Sequence, residues 1–309
     1  MAKERRKRIG FALLATAGVA LLLAGCRREA ARDPAQHLAA GWSWYCQGDF
    51  SLAEKEFGAA LILVPTNCPL RQQVFHALAT TWDLRRPGED PARAEQCYRE
   101  AIALAPTNDL SAWCWLALAR LKSQPQGGEP AFLKMRVEAY QQVIDRFPFH
   151  LAGEEAFLHQ QSALLEKPDP GAARRVLTAL GQFIADHPQS PWRSQAWRLV
   201  GHCCDVLGLR EDRLAAALQE WKTQEVDPHN PLSDLSSTYW SIATIAEFDV
   251  GDFAGARECY RRLITEYPTD QKVFLARQEL KRMDEVEAGM RSAKGPERSR
   301  RAEQKGGGP

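Results

Sequence analysis

The chain is 309 residues long, with 45% hydrophobic and 26% charged residues and a mean hydropathy of −0.40. That composition can bury a core and excludes both a disordered chain and a multispan membrane protein. Its formal charge of +1 is unevenly laid out: residues 1–25 hold five Lys/Arg against one Glu, which leaves the remainder slightly acidic and gives nucleic-acid binding no support.

Lys3, Arg5, Arg6, Lys7 and Arg8 precede Ile9 to Gly25, an uncharged stretch of 17 residues rich in Leu and Ala. This is the layout of a signal peptide. Leu23-Ala24-Gly25-Cys26 follows and resembles the lipobox of bacterial lipoproteins. The resemblance implies that residues 1–25 are removed, that the thiol of Cys26 is acylated and that residues 26–33 are an anchor linker. An uncleaved anchor is the alternative, but 17 residues is at the lower limit of the roughly 17–25 a span needs. Arg27 and Arg28 stand where the family's inner-membrane retention signal places Asp, so the resemblance implies the outer membrane, facing the periplasm.

From residue 34 the chain repeats. A proline ends an apolar helical run at Pro65, Pro106, Pro148, Pro188, Pro228 and Pro268, at intervals of 41, 42, 40, 40 and 40 residues. Eight residues before five of these prolines stands a large residue, Phe57, Tyr98, Tyr140, Leu180 or Tyr260, and Trp221 is seven before the remaining one. Four residues further upstream lies a small or short apolar residue, Ala53, Ala94, Val176, Ala217 or Ala256, with Arg136 breaking the rule. Residues four apart share one helix face, so the small one admits a neighbouring helix while the large one fills the space beside it. Each proline terminates that second helix.

The preceding helix of each unit sets a large residue beside a small one, as in Ala40-Gly41 with Trp44, Leu78-Ala79 with Trp82, Trp113 with Leu116-Ala117, and Trp197 with Val200-Gly201. The fourth unit, around Glu154 to Glu166, lacks that pair. Asp90-Pro91 and Asp169-Pro170 read as a cap followed by the first residue of a second helix. Asn67, Asn108, Ser190, Asn230 and Asp270 read as caps of the first helices.

These residues resemble the tetratricopeptide pattern, W-x2-L-G-x2-Y…A-x3-F…P. His37 to Asn67 keeps the family spacing, and Gly251-Asp252-Phe253 with Ala256, Tyr260 and Pro268 repeats the register of Gly48-Asp49-Phe50 with Ala53, Phe57 and Pro65. The resemblance implies an all-α, right-handed α-solenoid of about six TPR-like helix pairs over residues 34–289, closed by a capping helix. Residues 290–309, with six Lys/Arg against two Glu, read as a disordered basic tail. The stretches 183–190 (FIADHPQS) and 260–268 (YRRLITEYP) are loosely similar to the repeats of the BamD-like lipoproteins of outer-membrane assembly.

Seven cysteines follow Cys26, an odd number without a C-x-x-C, and they read as buried structural thiols. Gly201-His202-Cys203-Cys204 is no metal site, because consecutive helical residues point about 100° apart. No catalytic residue, cofactor or metal is expected. The expected function is a membrane-anchored, non-enzymatic scaffold that holds a protein or peptide in a groove lined by first helices. The candidate partner-binding residues are Trp115 and Arg120 on one first helix and Arg193 and Arg198 on another, an aromatic and guanidinium composition suited to hot spots. Trp42 and Trp192, like Trp115, have no evident core role and are candidates to line the groove. The alternative is a polysaccharide-active enzyme in which six helical hairpins close into an α/α toroid.

Overall fold

The computed structural model describes residues 32–85, 87–123, 130–167, 169–224 and 235–303, so residues 1–25, expected to be a signal peptide, and Cys26 lie outside the described residues. The fold is all-α. The helices are α1 (Pro34–Cys46), α2 (Phe50–Leu63), α3 (Pro69–Leu84), α4 (Pro91–Leu104), α5 (Asp109–Lys122), α6 (Pro130–Arg146) and α7 (Leu151–Leu164). They continue with α8 (Pro170–Asp186), α9 (Arg193–Leu207), α10 (Arg210–Thr223), α11 (Ser236–Thr244), α12 (Phe253–Glu266) and α13 (Lys272–Glu303). A π-helical turn over Ile245–Val250 extends α11.

First and second helices alternate from α1 to α12, which are the six pairs expected, and α13 follows as the additional helix. It reaches into the segment for which the sequence predicts a disordered tail. Among the described residues no helix is long and apolar enough to cross a membrane.

The chain divides into two compact units, one ending at Leu121 and the other beginning at Lys122. In the first, Phe57, Ala53 and Ala60 of α2 pack with Leu38 of α1 and Val74 of α3. A second cluster there joins Ala94 and Tyr98 of α4 to Ala79 of α3 and Cys114 of α5. In the other unit, Val176 and Leu180 of α8 pack with Leu158 of α7 and with Ala196, Cys203 and Cys204 of α9. Tyr260 and Ala256 of α12 pack with Tyr239 of α11 and with Ala276 and Met283 of α13.

The small and large residues four apart therefore occupy the core as expected, and Ala53, Phe57, Ala94, Leu180, Ala256 and Tyr260 are fully or almost fully buried. The fifth pair is a correction. There Ala216 is the buried alanine and Ala217 is only partly covered, because Trp221 stands one residue nearer its breaker than its counterparts. At the position where Arg136 replaces a small residue, its side chain stays largely buried, with the guanidinium over the Phe132 ring at 5.7 Å and paired with Glu166 at 2.5 Å.

Helix ends follow the sequence closely. Asp33 forms a capping box with Gln36, while Asp49, Asp90, Asp169 and Asp252 each accept a backbone N–H in the first turn. Before two of these caps the chain must reverse within two residues, and Gly48 (φ 81°) and Gly251 (φ 80°) supply the left-handed conformation. Asn67 and Ser190 do not occupy the cap positions of α3 and α9 as expected; Cys68 and Trp192 do, without a side-chain bond, and Asn230 lies outside the described residues.

Two buried pairs tie the end of a first helix to the tyrosine of its second helix. Tyr98 Oη donates to Asp83 Oδ2 at 3.3 Å, and Tyr260 Oη donates to Glu247 Oε2 at 3.2 Å. Glu247 is also held by Arg282 of α13. Burial raises both phenol pKa values, that of Tyr260 to about 12, so both remain donors at neutral pH.

Candidate functional site

Two first helices of the second unit, α9 and α11, and the start of α13 border an open groove of about 620 Å³, with the last turns of α10 at its side. Arg198 of α9 and Glu220 of α10 pair along one wall, Nε to Oε1 at 2.8 Å. Lys272 and Asp270 pair on the opposite side, Nζ to Oδ2 at 3.4 Å. Ser237 and Ser241, four apart and so on one face of α11, stand exposed between them. Buried Ile242 and partly covered Ala217 provide the apolar floor.

The charges here are oriented by their neighbours. A hydrogen bond from Ser236 and one from the backbone N–H of Lys272, at 2.7 Å, hold the Asp270 carboxyl below its ordinary pKa. Arg198 keeps most of its guanidinium in solvent, with 65% of its side chain exposed. Thr238 Oγ1 donates to Gln224 Oε1 at 2.8 Å, fixing an amide at the rim. The groove thus offers hydroxyls, an amide and two neutralised ion pairs. Such a surface supplies donors and acceptors to a peptide backbone without selecting for net charge.

Of the four residues predicted to meet a partner, Arg198 alone lines this groove. Arg193 lies five residues earlier, which turns it about 140° around the helix. It borders a separate polar hollow of about 310 Å³ and donates from Nη1 to the carbonyl of Pro188 at 3.0 Å. Its Nε is buried without a hydrogen-bond partner. Trp115, partly buried, and Arg120, exposed, belong to α5 of the first unit, so the four are not brought together at one site within a unit.

The groove assignments of Trp42 and Trp192 are corrected. Trp42 packs edge to face with Phe57 at 5.3 Å and with Tyr45 at 5.4 Å beside the core of the first unit. Trp192 packs against the core of the second. Sequence reasoning missed Ser237, Ser241, Glu220, Asp270 and Lys272. The i, i+4 serine pair is the one signal that marked an exposed polar stripe on a first helix.

The seven cysteines are free thiols, but not all are buried as expected: Cys46 is exposed and Cys68, Cys97 and Cys259 are partly covered. Burial raises the pKa of Cys114 to about 12 and those of Cys203 and Cys259 to about 11. Such thiols are poor nucleophiles at neutral pH. Among the described residues no group of three or more His, Cys, Asp or Glu side chains is placed to hold a metal ion.

Residues 238–270, from α11 through α12 to the start of α13, match the tetratricopeptide repeat family. No curated protein matches the chain in sequence. Among solved structures, the type IV pilus biogenesis factor PilW has a TM-score of 0.53 at 14% identity, over 78% of this chain and 97% of that one. PilF of Pseudomonas aeruginosa has a TM-score of 0.52 at 12% identity, over 81% and 97%. A tetratricopeptide repeat protein of Parabacteroides merdae has a TM-score of 0.50 at 16% identity, over 81% and 86%. At these identities the likeness is one of fold.

Proposed function

We propose that this chain is a membrane-anchored, non-enzymatic TPR scaffold of the bacterial cell envelope that holds an extended protein segment in the groove between α9, α11 and α13. The observation that carries the reading is the groove itself. The first helices α9 and α11, with the end of α10 and the start of α13, present hydroxyl, amide and paired-ion groups over an apolar floor, and a stack already ordered loses little entropy when a peptide is laid on it. Lipidation of Cys26 would hold the scaffold at the periplasmic face of the outer membrane, where protein assembly or secretion needs such docking. Leu23-Ala24-Gly25-Cys26 and the following arginines support that location.

The experiment is site-specific photocrosslinking in native membranes, with the photoreactive residue at Ser241 or, as a control, at exposed Thr178 of α8. A discrete protein adduct is expected from Ser241 and should disappear when Arg198→Glu is added. Identical adducts from both positions, or none from Ser241, would refute the groove assignment. A radioactive fatty-acid label on wild type and not on Cys26→Ser tests the anchor separately.

A further inference from the structure

A second groove of the same unit lies between α6, α7 and α8 and has a different chemistry. It holds about 310 Å³ between Ile144 of α6, Phe157 of α7, and Ala179 and Phe183 of α8. Phe157 and Phe183 stack at 5.1 Å and 14°, and the Phe183 ring stacks in turn on His187 at 4.8 Å and 24°. One wall is therefore a packed aromatic column rather than a set of mobile side chains. His187 is braced through Nδ1 to Glu154 Oε1 at 3.1 Å, and Ser190 Oγ donates to Glu154 Oε2 at 2.6 Å.

The charged residues lining this groove are Glu154 and Asp186, and its lining contains no Lys or Arg. Next to Pro148, at its edge, Phe149 is 97% exposed. That turn is fixed from several sides. His150 N donates to the carbonyl of Phe147 at 3.2 Å, and His150 Nδ1 accepts from the N–H of Ala152 at 3.0 Å. Gly153 sits so close beneath the Phe147 carbonyl that a Cβ there would collide with it. Phe149 is held out into water on a stiff mount beside an apolar trough, an arrangement that enlarges the apolar surface available to a partner.

We propose that this groove docks a basic protein segment carrying an aromatic or large aliphatic anchor. The anchor fills the space between Ile144, Ala179 and Phe183, the neighbouring residue covers Phe149, and flanking Lys or Arg face the exposed carboxylate of Asp186. Charge complementarity selects the occupant: a lining with the exposed Asp186 carboxylate and no Lys or Arg favours a cationic segment over an acidic one. The volume suits one or two large side chains, so the contact is an anchor point and not a seat for a whole helix. The site is separate from the groove of α9, α11 and α13 and does not depend on it.

The test uses the purified full-length chain in detergent and two fluorescent peptides, one with the order Lys-Lys-Gly-Phe-Leu-Gly-Lys-Lys and one with Glu in place of each Lys. Anisotropy should show binding of the Lys peptide and none of the Glu peptide. Asp186→Lys, at an exposed residue outside the packed core, should weaken the Lys peptide at least fivefold and raise the Glu peptide into the measurable range. Ala179→Trp, which fills the trough, should abolish binding while circular dichroism stays unchanged. Arg198→Glu should leave the Lys peptide unaffected, so this proposal and the first-helix groove fail independently. Lys-peptide binding that survives both Ala179→Trp and Asp186→Lys would overturn the proposal. A dimer mass in sedimentation that Phe149→Ser reduces to a monomer would instead assign the trough to a second copy of this chain.

Discussion

At Gly41 the ring of Phe57 occupies the space where a Cβ would stand, whereas at Gly201 the nearest atom to a Cβ would be that of Ala216, 3.8 Å away, and at Gly181 nothing lies within 4 Å. The same residue type is thus a steric requirement at one site and a dispensable one at the other two. Gly41→Ala should cost about 1–3 kcal/mol by overpacking. Gly181→Ala should stabilise by about 0.4–1 kcal/mol, because alanine costs less backbone entropy in a helix. Urea denaturation of the three single variants, including Gly201→Ala, checks the order, and a Gly41→Ala protein as stable as wild type would contradict the packing. Sequence spacing marked Gly41 and Gly201 as equivalent close-approach points, and only the first is. The difference lies in the facing residue, a phenylalanine in one pair and an alanine in the other, which spacing along one helix does not reveal. The same limit explains Trp42. Its register gave it no core partner, yet Phe57, Tyr45 and His76 surround it from three helices.

At three places a polar contact runs from the start of a first helix to the turn or cap that opens the helix two elements on. Gln72 of α3 donates to the carbonyl of Ala101 at 3.0 Å and to Ser111 Oγ at 3.0 Å, and accepts from Asn108 Nδ2 at 2.6 Å. Glu154 of α7 accepts from Ser190, and Ser236 of α11 hydrogen-bonds Asp270. Asn108, Ser190 and Asp270 were legible as turn residues after their breakers. Their second role was not, because the partner lies 34 to 36 residues earlier on another element. Gln72 is almost fully buried. Gln72→Leu should therefore cost about 1–3 kcal/mol by leaving Ser111 and the Ala101 carbonyl without their partner, read as a lower denaturation midpoint at unchanged helicity. Asp270 has a pH signature. Its folded pKa lies below the ordinary value of 3.8, so its stabilising effect is present above that value and is lost as pH falls through the lower, folded one. Asp270→Asn should reduce stability at pH 7 and should narrow its difference from wild type as the pH falls below about 4. A constant difference across that range would show that the carboxylate is not the responsible group.

Over the whole molecule, contacts are local, with separate apolar clusters in each compact unit joining neighbouring helices. This is the organisation that the spacing of the breaker prolines announced, and it is why period and packing pairs were readable while the groove was not. A groove between α9, α11 and α13 draws its residues from elements more than 70 positions apart, none unusual by itself. Local contacts also weaken cooperativity, so unfolding should deviate from a two-state transition. Core tryptophan fluorescence and helicity should give different midpoints, and coincident curves would contradict this. Where such a stack works turns on the anchor proposed for it. The stretch Ile9 to Gly25 is 17 residues long and follows five basic residues, a layout that fits a signal peptide and is short for a permanent span of roughly 20. One acyl chain gives only marginal attachment, whereas a diacylated cysteine supplies two chains and a stable one. Cys26→Ser should therefore abolish fatty-acid labelling and leave the precursor at full length, still held by its signal segment. A chain beginning at Arg27 should fractionate with water-soluble proteins. Mature-length Cys26→Ser protein that still partitions with the outer membrane would show that another part of the chain makes the attachment.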